Sequence, residues 1–123
     1  MRIELTDING TCIAELISDS IVISNSQDAL DIMADCSYQG ARRIIVREIN
    51  VTPDFFDLKT GIAGEILQKF STYDTKLAIV GDFSKYSSKS LRDFIYESNK
   101  IGRISFVANI NLAKEALVKK DNF

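Results

Sequence analysis

The sequence predicts an α/β fold: a mixed, mostly parallel β-sheet with an N-terminal β-hairpin and about four helices, in the order β-β-β-α-β-α-β-α-β-α. Three observations carry this. An Asn9-Gly10 pair separates two segments of strand character, and that dipeptide is a strong hairpin signal because both residues tolerate positive φ. Further on, short aliphatic runs without polar alternation stand between longer helical patterns, as expected of strands covered on both faces. The length of 123 residues suits one hydrophobic core, and no Pro/Gly/Ser-rich linker or repeat divides it, so residues 1–123 are read as a single domain.

Ile3 and Leu5 alternate with Arg2, Glu4 and Thr6, the period of a half-buried strand. The second strand runs from about Thr11 to Ile17, and the apolar run Ile21-Val22-Ile23 is read as a third. Ser24, Asn25 and Ser26 offer capping oxygens for a first helix, with Asp28 in its first turn, where the helix dipole favours a carboxylate. Ala29, Leu30, Met33 and Ala34 fall on one face of that helix, and Gly40 suits its end. Ile44-Ile45-Val46 is the next strand. Leu58, Ile62, Ile66 and Phe70 then repeat every fourth residue, with Ala63 and Leu67 beside them. This predicts a helix opening near Asp57, approached through Thr52-Pro53. Leu77–Val80 is a buried strand ended by Gly81-Asp82. A third helix follows the serines at 84, 87, 88 and 90, carries Leu91, Phe94 and Ile95, and stops at Gly102. Ile104–Val107 is the last strand. Asn109 or Asn111 caps a final helix with Leu112, Ala113, Ala116 and Leu117, and with Lys119 and Lys120 where cations suit the dipole.

Composition excludes several function classes. Fifteen Lys and Arg face seventeen Asp and Glu, for a net charge of −2 and a pI near 5.1. This argues against nucleic acid as a partner. With no histidine, a His-based triad or His-ligated metal is excluded, and two cysteines cannot form a Cys-only zinc site. No cofactor is expected. Nothing approaches the ~18 apolar residues of a membrane span, and the opening Met-Arg-Ile-Glu-Leu-Thr-Asp has no signal-peptide core. The expectation is a cytoplasmic protein with no membrane insertion. Cys12 and Cys36 sit among apolar neighbours and read as buried free thiols, and their spacing matches no redox motif.

Right-handed crossovers would gather the loops 48–57, 81–90 and 108–111 at one end of the sheet, where α/β folds place ligands. Gly61 and Gly64 fall inside the second helical pattern. Interior glycine costs about 1 kcal/mol against alanine, so they need a reason: close packing of the helix on the sheet, or a phosphate at its start. No dinucleotide or P-loop glycine fingerprint is present. Asp82 ends a strand and suits a turn, or a metal, ribose or basic partner. Asp54, Asp57 and Asp82 together would need a particular geometry to hold Mg²⁺. The serines and lysines from Ser84 to Ser90 suit loop and cap duty, with a Ser-Lys nucleophile as the sharper alternative. Phe55-Phe56 either seats the second helix or, if exposed, anchors a partner. Tyr73, Tyr86 and Tyr96 read as core-edge rings with wet hydroxyls.

The stretch Asp54-Phe55-Phe56-Asp57-Leu58-Lys59-Thr60-Gly61-Ile62-Ala63-Gly64-Glu65-Ile66 resembles the hallmark of a bacterial domain-of-unknown-function family, DUF4180. Lys76–Phe83 and Ser88–Glu97 extend the match. That family brings no established activity. More distantly, the element order resembles the STAS domains of sulfate transporters and anti-sigma-factor antagonists. In the antagonists an Asp-Ser-Ser-Gly-Leu turn opens a helix, and the serine before the glycine is a phosphorylation switch. Thr60-Gly61-Ile62 resembles the Ser-Gly-Leu part, although Asp57 lies three residues before Thr60 instead of two. The resemblance implies a non-catalytic regulatory module with a protein partner. Its candidate surface comprises Phe55, Phe56, Asp57, Thr60, Gly61, Gly64, Asp82 and Phe83, with Thr60 as candidate phosphoacceptor. The alternative is a small-ligand or lipid-binding domain whose concavity at the strand ends is lined by Phe55, Phe56, Phe83 and Tyr86.

Overall fold

In the computed structural model, which describes residues 1–119, strands and helices alternate around one five-stranded sheet. The strands are β1 (Arg2–Ile8), β2 (Thr11–Ile17), β3 (Arg43–Arg47), β4 (Lys76–Val80) and β5 (Ile104–Val107). The helices are α1 (Ser26–Tyr38), α2 (Ile62–Thr72), α3 (Lys89–Ile101) and α4 (Ile110–Val118). Short 3₁₀ turns at Glu48–Asn50, Pro53–Phe56 and Leu58–Thr60 join β3 to α2. Asn9 and Gly10, at φ 51° and 86°, turn β1 back onto β2, antiparallel in the register Ile8↔Thr11. The pairs β2–β3, β3–β4 and β4–β5 are parallel. The mixed, mostly parallel sheet and the four helices are as the sequence predicts.

Spatial order equals chain order. Each parallel crossover therefore steps the same way across the sheet, and a common right-handed sense puts all three crossover helices on one face. The main core forms there, with Leu16, Ile44, Leu77, Ile79 and Ile104 against Ala29, Met33, Ile66, Phe70 and Leu91. Helix α4 follows the last strand and returns over the other face, where Ala113 and Leu117 meet Ile13, Ile45 and Ala78.

Several local expectations are corrected. The run 21–23 is not a sheet strand. The Val22 and Ile23 amides donate to the Asn50 carbonyl, and Ile23 makes only an isolated parallel bridge with Val51. The apolar run is spent on fixing the segment after β3. Leu5 is exposed, on β1 at the edge of the sheet. In α1 the buried face is Ala29, Ile32, Met33 and Cys36, with Ala34 exposed, and Asn25 is the cap. Helix α2 opens at Ile62, since Gly61 at φ 77° breaks the path between the 58–60 turn and the helix. Ser88 caps α3, Gly102 at φ 85° ends it, and Asn109 caps α4. Lys120 lies outside the described residues. Among the described residues no helix is long and apolar enough to cross a membrane.

Candidate functional site at the strand ends and the start of α2

The carboxyl ends of β3 and β4 are joined by one half-buried carboxylate. The Tyr86 hydroxyl donates to Glu48 Oε2 at 2.5 Å, and Lys85 Nζ lies 2.7 Å from the same oxygen. Burial and the Glu48 carboxylate hold the Tyr86 phenol well above the ordinary tyrosine value. Gly81 makes room for this: a Cβ there would lie 2.6 Å from Glu48 Oε1 and 2.7 Å from its Cβ. The Tyr86 hydroxyl is thus bonded inside the protein, against the expectation of a wet one. Neither Glu48 nor its pairing stands out in the sequence, because its partners lie far along the chain.

Phe55 and Phe56 are 1% and 7% exposed, so they seat the chain and present no partner anchor. Tyr86 stacks on Phe56 with centroids 5.1 Å apart, and Phe83 packs edge-on to Phe106 at 5.3 Å. These rings fill the space between them, where the alternative reading expected a concavity. The Asp82 carboxylate accepts from the Ser84 hydroxyl at 2.6 Å and from its amide at 3.1 Å. The two bonds, the hydroxyl's first, hold the carboxyl below the usual range, with help from Lys85. Asp82 therefore shapes a turn. Among the described residues no group of three or more acidic or thiol side chains is arranged to hold a metal ion.

The start of α2 is different in kind. Thr60 is exposed, and its hydroxyl lies 2.8 Å from the carbonyls of Asp54 and of Asp57, to which it donates, and accepts from the Ile62 amide at 3.2 Å. Asp57 caps the 58–60 turn through Lys59. Helix α2 itself opens on Gly61 with no side-chain cap. Gly64, two residues into the helix, is exposed, and among the described residues an added Cβ would meet nothing within 4 Å. Close packing on the sheet, one of the two reasons expected for this glycine, is therefore absent. Asp57, Thr60, Gly61 and Gly64 are each exposed, along the stretch from the cap of the 58–60 turn into the first turn of α2. Phe83 is half-buried in the ring cluster and Asp82 belongs to the neighbouring turn.

The chain matches the sequence model of a family described as "Domain of unknown function (DUF4180)" over residues 8–117. Among solved structures, it aligns with a Thermotoga maritima protein provisionally described as an anti-sigma factor antagonist. Identity is 12%, coverage is 95% of each chain and the TM-score is 0.48. No curated protein matches the chain by sequence.

Proposed function

The chain belongs to the DUF4180 family, and from that premise we propose that it is a non-catalytic regulatory module of STAS type, binding a protein partner in the bacterial cytoplasm. The observation that carries this reading is Gly64. Glycine inside a helix lowers its stability by about 0.5–1 kcal/mol relative to alanine, and among the described residues nothing outside its own stretch of helix comes within 4 Å of where its Cβ would stand. A partner backbone approaching α2 closely would use that space. Thr60 lies beside the same surface, exposed, at the approach to a helix whose N-terminus has no side-chain cap.

Phosphate on Thr60 would add about −1.5 to −2 charges. The helix dipole favours that charge, while Asp57 and Asp54 oppose it. In this proposal the added charge releases a partner matched to neutral Thr60. The test is affinity capture from the source cell's lysate, with circular dichroism as the control for folding. Wild-type protein is expected to capture a partner, Thr60→Glu to lose it while staying folded, and Gly64→Ala to weaken it while raising thermal stability. Thr60→Ala keeps the partner and loses about 1 kcal/mol of stability with its hydroxyl bonds. Capture of no partner, together with a melting shift by a metabolite, would turn the reading toward a ligand-binding domain.

A further inference from the structure

The two edges of the sheet are finished differently. Along β5 the edge is covered: Ile104 is 0% and Phe106 5% exposed, and the Asn99 carboxamide accepts from the Phe106 amide and donates to its carbonyl. Strand β1, at the other edge, is open. Arg2, Glu4, Leu5, Thr6 and Asp7 are all exposed, Leu5 at 45%. The register with β2 runs from Arg2 to Ile8 without a bulge, and the strand holds neither Pro nor Lys. Bulges, prolines and lysines are usual means of keeping an edge from pairing. The charges on β1 are Arg2, Glu4 and Asp7, and the first two are bonded to each other at 2.8 Å.

The hairpin fixes which backbone groups face out. Ile8↔Thr11 closes the two-residue turn, so this pair exchanges both of its hydrogen bonds. Alternation gives Thr6, Glu4 and Arg2 the same bonds to β2, and turns the peptide groups of Ile3, Leu5 and Asp7 outward. Among the described residues, no turn, loop or side chain bonds to those outward groups. The outward set is symmetric about Leu5. A second copy of β1, turned antiparallel about a two-fold axis at Leu5, sets Leu5 against Leu5 and Ile3 against Asp7. Every outward amide then meets an outward carbonyl.

Charge and turn position select this register over its neighbours. With Leu5 on the axis, Glu4 stands opposite Thr6 of the copy and Arg2 opposite Ile8, so no like charges face each other. Moving the copy by one bonded pair in one direction sets Glu4 opposite Glu4, which is destabilising. The opposite move sets Ile3 against Asn9, in the turn. Leu5 lies on the main-core side of the sheet, opposite Ala14 of that core. In the register with Leu5 on the axis, the two exposed leucines cover each other there.

We propose that the β1 edge is where two copies of this chain join, antiparallel and two-fold symmetric about Leu5, into one continuous sheet. Such an isologous contact closes on itself and uses up both open edges. Backbone hydrogen bonds supply the affinity, as in other strand additions. A seven-residue edge buries less than the ~1,600 Å² of a standard interface, so the dimer is a weak one. The contact is independent of the Thr60 surface.

The test is sedimentation velocity of the full chain from about 10 μM to 1 mM, with amide exchange followed by NMR over the same range. Mass is expected to rise with concentration. Exchange should slow at Ile3, Leu5 and Asp7 and stay unchanged at Glu4 and Thr6, which are already bonded to β2. Leu5→Lys and Leu5→Glu, each checked for folding by circular dichroism, should each raise the dissociation constant about tenfold or more. Mixed together, the two variants should associate more tightly than either alone, because opposite charges then meet at the axis. Thr60→Glu protein should dimerise like wild type, which separates this contact from the one proposed for α2. Wild-type protein that stays monomeric throughout would overturn the proposal. So would a dimer whose Ile3, Leu5 and Asp7 amides exchange as fast as in the monomer, or a mixture no tighter than its components. Protection of those amides only by an added extended peptide would assign the edge to another protein's strand and overturn it as well. Should either variant fail to fold, the wild-type exchange pattern decides alone.

Discussion

Asn50 has no exposed surface, yet every polar atom of its side chain is used. Its carboxamide accepts from the Arg47 amide at 3.2 Å and donates to the carbonyls of Ser18 and Ser20 at 2.9 Å each. It ties the end of β2 to the end of β3. Asn50→Ala leaves those groups unpaired and should cost about 3 kcal/mol, measured as a lower urea midpoint. Tyr86 makes the matching link from the far side of β3. Its raised phenol pKa means that the folded protein prefers the neutral ring. The associated stability is fully present below the unfolded tyrosine value of about 10 and is lost as pH rises toward the higher folded value. The stability difference between wild type and Tyr86→Phe should therefore be largest below pH ~10 and shrink above it, in denaturation series across alkaline pH. Neither link is legible in the sequence. Glu48 and Tyr86 are 38 positions apart, and Asn50 meets Ser20 across 30. Local patterns report what lies within a turn or two, and these pairings are made by the sheet.

Elements fared better where one physical signal dominated. The four-residue spacing of Leu58, Ile62, Ile66 and Phe70 correctly marks a buried face, because α2 buries Ile66 and Phe70 with Ala63. Its start was misplaced because Leu58 continues the period from within a separate 3₁₀ turn, and periodicity does not register the αL residue Gly61 between the two. The run 21–23 misled for another reason: apolar content alone does not say which segment a run pairs with. The approach of the β3 and β4 ends depends on glycine. Gly81→Ala would press its Cβ into Glu48 and should cost about 1–3 kcal/mol. As Glu48 moves aside it would loosen its hold on Tyr86, so the variant should also show a lower phenol pKa in an ultraviolet titration. A drop in stability with an unchanged Tyr86 titration would mean that the two ends adjust separately.

At the scale of the molecule, the alternation of strand and helix was enough to predict a mostly parallel sheet, but the strand order was not legible. It depends on which way each crossover steps, and single-chain periodicity carries no such direction. Among the described residues, the order found leaves one face to α4, the shortest of the four helices. Leu117, 1% exposed, is the larger of its two buried side chains, and Leu117→Ala should cost about 2–5 kcal/mol by calorimetry or denaturant titration. The agreement of chain order with spatial order has one more consequence, for the way the protein is made. A chain leaves the ribosome N-terminus first at about 5–20 residues per second. Here each new strand finds its partner already synthesised, so the sheet can grow in the direction of translation without waiting for a later segment. Only the second face must wait. Ile13, Ile45 and Ala78 stay uncovered until α4 has emerged, which makes the interval between β5 and α4 the moment when the nascent sheet is most exposed to aggregation.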